Sequence, residues 1–225
     1  MLIGGGEVTG KSDSAEKIFG LSTVNNLVIL RNLFTEVMPQ RTLEVGLALG
    51  GSALLFTASH REVGRPPMAQ HTAIDPIQTS FWNDAALTAL ENARLRGYLD
   101  FRPVASSIAL PALIREEASF ELIYIDGSHL FEDVFIDFYF ATRLLTDGGI
   151  VTFDDSTDPH VKKVLRFIRT NCDCLSPVDL SPYRPDKGRS PRYRAAKTLG
   201  RTQLTAFRKS SRWTREFGNT AFTNF

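Results

Sequence analysis

Five short apolar runs in this 225-residue chain end at groups worth attention. "RTLEV" leads into Glu44-Val45-Gly46, "HTAID" ends on Asp75, and "ELIYID" ends on Asp126. "GIVTFDD" closes on Asp154-Asp155, and only "DFRPV" runs on into Ala105-Ser106 without an acid. A strand end that merely packs has no need of a carboxylate. At such an end a carboxylate can accept hydrogen bonds from both hydroxyls of a ribose, the role an acid after the second strand takes in dinucleotide folds, and Asp75 is placed for it. The first run also opens a glycine-bearing turn, "LEVGLALGGS". There Gly46 allows a sharp bend, and Gly50-Gly51 allow a ligand to approach the backbone closely. That turn lacks the G-x-G-x-x-G spacing of a dehydrogenase and the lysine of a phosphate loop.

The elements that must hold these residues alternate. Between the apolar runs lie amphipathic stretches: "GSALLFTASHREV", "FWNDAALTALENARLRG", "SIALPALIREEA" and "FEDVFIDFYFATRLLTDGG", the last stopped by Gly148-Gly149. "TVNNLVILRNLFTEVMP" reads as a helix before the first strand, and "HVKKVLRFIRTN" as one after the fifth. "CLSPVDLSPY" and "TQLTAFRKS" read as two further strands joined by a long polar connection. This rhythm predicts an α/β fold, a three-layer doubly wound sheet, mostly parallel and seven-stranded. In such sheets ligands bind beyond the carboxyl ends of the strands. Residues 1–20 are read as a flexible N-terminal arm, 21–210 as a single domain and 211–225 as a C-terminal tail.

Bulk properties narrow the classes. Hydrophobic residues make up 43% and charged residues 23%, ordinary for a globular protein. No run approaches the roughly 20 apolar residues of a membrane span, and the start lacks the pattern of a signal peptide. A cytoplasmic protein with no membrane partner is therefore expected. Cys172 and Cys174 are too close for an unstrained disulfide and too few for a zinc site, so reduced thiols are expected. Net charge is +1 but unevenly spread. Residues 1–159 hold 11 Lys and Arg against 21 Asp and Glu, and residues 160–225 hold 15 against 4. A basic region of that kind suits an anionic partner, or else is a solvated surface.

"GGEVTGKS", residues 5–12, matches the phosphate-loop pattern letter for letter. A working loop sits between a buried strand and a helix. Here only four residues precede Gly5, and "DSAEKIFG" follows for barely two turns. The match is read as coincidental, and a P-loop nucleotide-binding protein is the least favoured function.

Taken together, Glu44-x-Gly46-x-x-x-Gly50-Gly51-Ser52, "AIDP" and "LIYIDGSHLFEDVFIDFYFATRLLTDGGIVTFDD" resemble a class I S-adenosylmethionine-dependent methyltransferase. Within that superfamily the chain is similar to the small-molecule O-methyltransferases of the catechol and caffeoyl-CoA type and their bacterial relatives. The resemblance spans about residues 20–210 and is most specific between Glu121 and Asp155. It implies a Rossmann-like sheet whose sixth strand is parallel and whose last strand is antiparallel. It implies S-adenosylmethionine as cofactor, with Glu44, Gly46, Gly50, Gly51 and Ser52 around the methionine part and Asp75 on the ribose. Ser106 would lie beside the adenine, although Ala105 stands where the family commonly has an acid. Asp126, Asp154 and Asp155 fall at the family's metal-ligand positions, and three carboxylates suit magnesium. The alternative is that Asp126 and Asp154 meet cofactor or substrate directly, with Asp155 capping a turn.

His129 occupies the position of a catalytic lysine in catechol-type relatives. A histidine, with a reference pKa of about 6.5, can serve as the base there, or it caps the helix that follows. The expected reaction is O-methylation of a small hydroxyl-bearing acceptor, with Asp126 and His129 as catalytic residues. Seven basic residues between Arg184 and Arg201 (Arg184, Lys187, Arg189, Arg192, Arg194, Lys197 and Arg201) sit in the connection between the last two strands. They point to an anionic acceptor, held under a mobile flap without regular structure. Methylation of RNA or another large anion ranks second, and a non-enzymatic binding module on the same fold remains open. A homodimer is compatible with all of these.

Overall fold

The computed structural model describes residues 22–211 and 223–224. Thr23 starts the first helix, α1 (Val24–Val37), by accepting a hydrogen bond from the Asn26 amide, and Met38 ends it in a left-handed conformation. There follow β1 (Thr42–Val45), α2 (Gly51–Glu62), β2 (His71–Ile74), α3 (Ala85–Asn92), β3 (Leu99–Arg102) and α4 (Ser106–Arg115). Next come β4 (Phe120–Ile125), α5 (Phe131–Leu144), β5 (Leu145–Phe153), α6 (Pro159–Asn171), β6 (Leu175–Val178), α7 (Pro191–Thr198) and β7 (Thr205–Lys209).

The seven strands form one sheet in the order β3-β2-β1-β4-β5-β7-β6. Strands β1 to β5 pair in parallel, and β7 runs antiparallel to both β5 and β6. The fold expected from the sequence is therefore found, including the reversed last strand. The chain turns outward from β1 in both directions, so the switch point lies between β1 and β4.

Alternation along β4 divides the core. Ile123 and Ile125 pack on one face with Leu110, Leu113, Phe138, Val164 and Ile168 of α4, α5 and α6. Leu122 and Tyr124 pack on the other with Leu30, Leu33, Phe34 and Phe56 of α1 and α2. Such burial contributes about 1.5–3 kcal/mol per large side chain and fixes the register that brings the acids to one edge. Cys172 and Cys174 are both buried and are not joined by a disulfide.

Two elements differ from the sequence expectation. The helix expected over 81–97 is confined to Ala85–Asn92, because Asn83 and Asp84 adopt φ of 50° and 56°, which no helix accepts. The basic connection expected to be irregular contains α7. Ser190 caps it and Pro191 occupies its first turn, where a proline starts a helix rather than breaking one. This helix is docked: Lys197 Nζ donates to Asp179 (2.6 Å) and Ser181 (2.8 Å), and the Arg184 guanidinium lies 3.9 Å over the Tyr193 ring.

Candidate active site

The carboxyl ends of β1, β4 and β5 border a cavity of about 290 Å³. Its lining includes Gly46, Gly51, Ser52, Asp126, His129, Asp154 and Asp155, together with Ser22, Trp82 and Gln203. Among the described residues no lysine or arginine lines it. The cavity is strongly acidic.

The glycine turn behaves as its sequence suggests. Gly46 has φ of 93°, and a Cβ there would lie 2.1 Å from the Asp126 carbonyl oxygen. Only glycine lets the ends of β1 and β4 approach so closely. Gly50, with φ of 81°, precedes α2 without a side-chain cap. The first N–H groups of α2 therefore lack a capping oxygen, beside Gly51 and Ser52 in the cavity wall.

Asp75 lies under this turn. Its Oδ2 accepts from the Leu47 (3.2 Å) and Ala48 (2.9 Å) amides, and its Oδ1 from the Ile77 amide (2.9 Å). Three backbone donors leave about one of a carboxylate's roughly four acceptor positions open. Gln78 ties the same turn to α3, donating to the Ala48 carbonyl at 2.8 Å.

Glu44 goes elsewhere. As a strand residue in register with Thr42, it projects into the face of the sheet rather than off its end. It is fully buried, its oxygens make no hydrogen bond among the described residues, and His71 Nε2 lies 3.2 Å away. His71 and His60 both approach the Thr42 hydroxyl, at 2.9 and 3.0 Å. Burial, then His71 and Arg65, depress the His60 pKa to about 3. Ser106 opens α4 and is not among the residues lining the cavity; its hydroxyl faces Asp137 on α5. Gly50 and Asp75 shape the wall from behind.

The acids form a layered group. The Tyr124 hydroxyl lies 2.8 Å from Asp126 Oδ2 and 2.5 Å from Asp154 Oδ2. Asn26 Nδ2 lies 2.9 and 3.0 Å from the two Asp154 oxygens, and the Asp155 amide donates to Asp154 Oδ1 at 2.7 Å. Each Asp154 oxygen thus already has two protein donors. Burial and the neighbouring Asp154 charge hold the Asp126 carboxyl well above its usual range. Asp154 is raised as well, by burial first, while Tyr124 and Asn26 pull it back. The Tyr124 phenol is pushed up by burial, then by the two carboxylates it serves. Cations near this group would oppose the mutual repulsion.

His129 does not cap α5. The Phe131 amide donates instead to His160 Nδ1 at 3.2 Å, and the Leu130 amide to Ser128 Oγ. The His129 ring, about half exposed, places Nε2 3.1 Å from Asp155 Oδ2 and Nδ1 3.9 Å from Asp158 Oδ2. One ligand atom each from Asp126, His129 and Asp155 falls within 4.8 Å of the others, a grouping that could hold a metal ion. Asp154, expected in that set, stands behind it.

Asn26, Tyr124, Trp82 and Gln203 were not singled out by the sequence. Tyr124 could have been, since it is two residues before Asp126 on a strand and so shares its face. The phosphate-loop match at 5–12 lies outside the described residues, as do the arm over 1–20 and most of the tail over 211–225.

A family model described as a methyltransferase domain matches residues 43–156, from the start of β1 to just past β5. No curated protein matches the chain. Among solved structures, it is similar to an O-methyltransferase from Bacillus cereus in complex with SAH, at 19% identity and TM-score 0.59, covering 72% of this chain and 76% of that one. It is similar also to CalS11, a TDP-rhamnose 3'-O-methyltransferase of calicheamicin biosynthesis, at 18% identity and TM-score 0.61, covering 81% and 78%. TomG from Streptomyces achromogenes, an O-methyltransferase in complex with SAM, gives 19% identity and TM-score 0.56, covering 85% and 82%. At these identities the solved structures speak for the fold, whereas the family model covers just over half the chain, including every acid of the cavity. The chain belongs to the methyltransferase-domain family.

Proposed function

We propose that the protein transfers a methyl group from S-adenosylmethionine to a hydroxyl of a small acceptor. The observation that carries this reading is the acidic cavity at the switch point, walled by Gly46, Gly51 and Ser52. The solved structures named above, described as O-methyltransferases and two of them in complex with SAH or SAM, support the choice of cofactor and of oxygen as the attacked atom.

The residues fit the cofactor. Gly46 lets the turns after β1 and β4 close against each other beside the cavity, the uncapped start of α2 suits a carboxylate, and the acids suit a positive sulfonium. When bound, S-adenosylmethionine supplies a methyl carbon made electrophilic by its sulfonium. Asp75 offers its remaining acceptor position to the ribose, and Ser106 and the start of α4 flank the adenine. The protein's task is to align the acceptor hydroxyl, exclude water and take up a proton. His129 performs that last step. With Nε2–H directed at Asp155, Nδ1 carries the lone pair, and Asp158 faces the imidazolium that results.

Asp126 and Asp155 fit a divalent cation, magnesium by their oxygen donors, with His129 at the margin. Asp154 would have to release a donor to join them. Such an ion would lower the pKa of the acceptor hydroxyl. The arginine-rich segment around α7 supports an anionic acceptor. Calorimetric titration with S-adenosylmethionine, ATP and NAD, each with and without magnesium, tests the reading. Binding of S-adenosylmethionine alone is expected, and selective binding of ATP or NAD would overturn it.

A further inference from the structure

A second cavity, of about 340 Å³, adjoins the first. It lies between α1, α7 and the segment entering β7, and Gln203 lines both cavities. Asn26 lines the second while its Nδ2 bonds Asp154, a wall residue of the first. The two are thus joined by neutral amides, yet their charges are opposite. Among the described residues, three aspartates and no Lys or Arg line the first, whereas Arg184, Arg192 and Arg201 and no Asp or Glu line the second.

The three arginines are not equivalent. Arg184 is paired with Asp186 at 3.1 Å and covers the Tyr193 ring, so it is held in place. Arg192 and Arg201 have no carboxylate within ion-pair reach among the described residues. Ser190, Thr202 and Tyr193 complete a donor-rich wall, with the first turn of α7 beside it. A guanidinium fork matches the oxygens of a phosphoryl group, and a helix start adds to the attraction. Two guanidiniums without a carboxylate partner among the described residues, plus a third partly paired one, suit more than one negative charge.

We propose that this second cavity binds a phosphoryl group of the methyl acceptor, so that the acceptor spans both cavities, phosphate at α7 and hydroxyl at Asp126 and His129. The site itself is independent of the methyl-transfer reading; its role in holding the acceptor rests on it.

The test is calorimetric titration of inorganic pyrophosphate into the full chain saturated with S-adenosylhomocysteine. Pyrophosphate is expected to bind the wild type. Arg192→Ala combined with Arg201→Ala should weaken it by about tenfold or more, and Arg192→Lys, which keeps charge but loses the fork, should weaken it by a smaller factor. S-adenosylhomocysteine affinity should stay within about twofold in each variant, which also reports that the fold is intact. Lys162→Ala with Arg166→Ala removes the same charge from α6 and should leave pyrophosphate binding within about twofold. Equal weakening by the α6 pair would reduce the effect to overall charge and overturn the inference. So would citrate binding as tightly as pyrophosphate with the same sensitivity to Arg192 and Arg201, or failure of pyrophosphate to bind at all. Failure of S-adenosylhomocysteine to bind while pyrophosphate does would overturn the methyl-transfer reading and leave the phosphoryl site standing.

Discussion

Asn26, on the helix that precedes the sheet, holds both oxygens of Asp154, 128 residues further along the chain. With Tyr124 it supplies the hydrogen bonds that keep a buried acid ionisable. Tyr124→Phe removes a donor that lowers the pKa of both Asp126 and Asp154. Both carboxyls should then protonate more readily. The acidic limb of the pH–kcat/KM profile should move to higher pH. An unchanged limb would show that neither acid acts in its ionised form.

Asp75→Ala should weaken S-adenosylmethionine binding by about 1.5–3 kcal/mol, the range for hydrogen bonds to a charged group. It should also lower the Tm without cofactor, because the amides of Leu47, Ala48 and Ile77 lose their acceptor. Calorimetry and thermal melts on the same sample check both. A lowered Tm with unaltered affinity would leave Asp75 a brace for the turn and nothing more.

His129→Ala should reduce kcat by about 10²–10⁴-fold if His129 takes the proton. If a cation lies against Asp126 and Asp155, excess EDTA should abolish turnover, and Asp155→Ala should reproduce that loss with little change in stability. Asp154→Ala should be the less stable variant, since it leaves Asn26 and Tyr124 without their buried partner. Full turnover in EDTA would remove the metal and leave the imidazole as sole proton acceptor.

Asp137 gives a pH dependence separate from catalysis. It is 1% exposed on α5, and burial raises its pKa to about 7, with the Ser106 hydroxyl partly offsetting the rise. A carboxyl whose folded pKa lies above its unfolded value of about 3.9 lowers stability progressively as pH rises between the two. Asp137→Asn should therefore match the wild type in chemical denaturation near pH 4. It should exceed it by on the order of 2 kcal/mol above pH 7. A gain constant across that range would assign the effect to packing. His60, with its pKa depressed to about 3, has the opposite slope between its unfolded value of about 6.5 and 3, so the wild-type curve alone would conceal both.

The strand ends were legible because short apolar runs closed by acids have few alternatives in a parallel sheet. Their consequences were less so. Glu44 reads as a cofactor ligand beside Gly46, but its parity with Thr42 turns it into the sheet, next to His71. Tyr124 reads as one more apolar strand residue, yet its hydroxyl joins two carboxylates. Asn26 and Gln203 are distant in sequence and meet the site only through tertiary packing. In α7, proline and serine read as loop formers, although Ser190-Pro191 is also a helix start. In the segment before α3, only the left-handed Asn83 and Asp84 reveal that Trp82 leaves the helix for the cavity wall.

The missing side chain at Gly46 also has a mechanical meaning. With the Asp126 carbonyl in the space a Cβ would need, the turn after β1 and the turn after β4 cannot shift independently. A displacement of the turn after β1 is therefore passed to the turn after β4, which carries Asp126. The segment around α7 lines the adjoining cavity and has no part in that junction, so it can change in sequence without moving the Gly46–Asp126 contact.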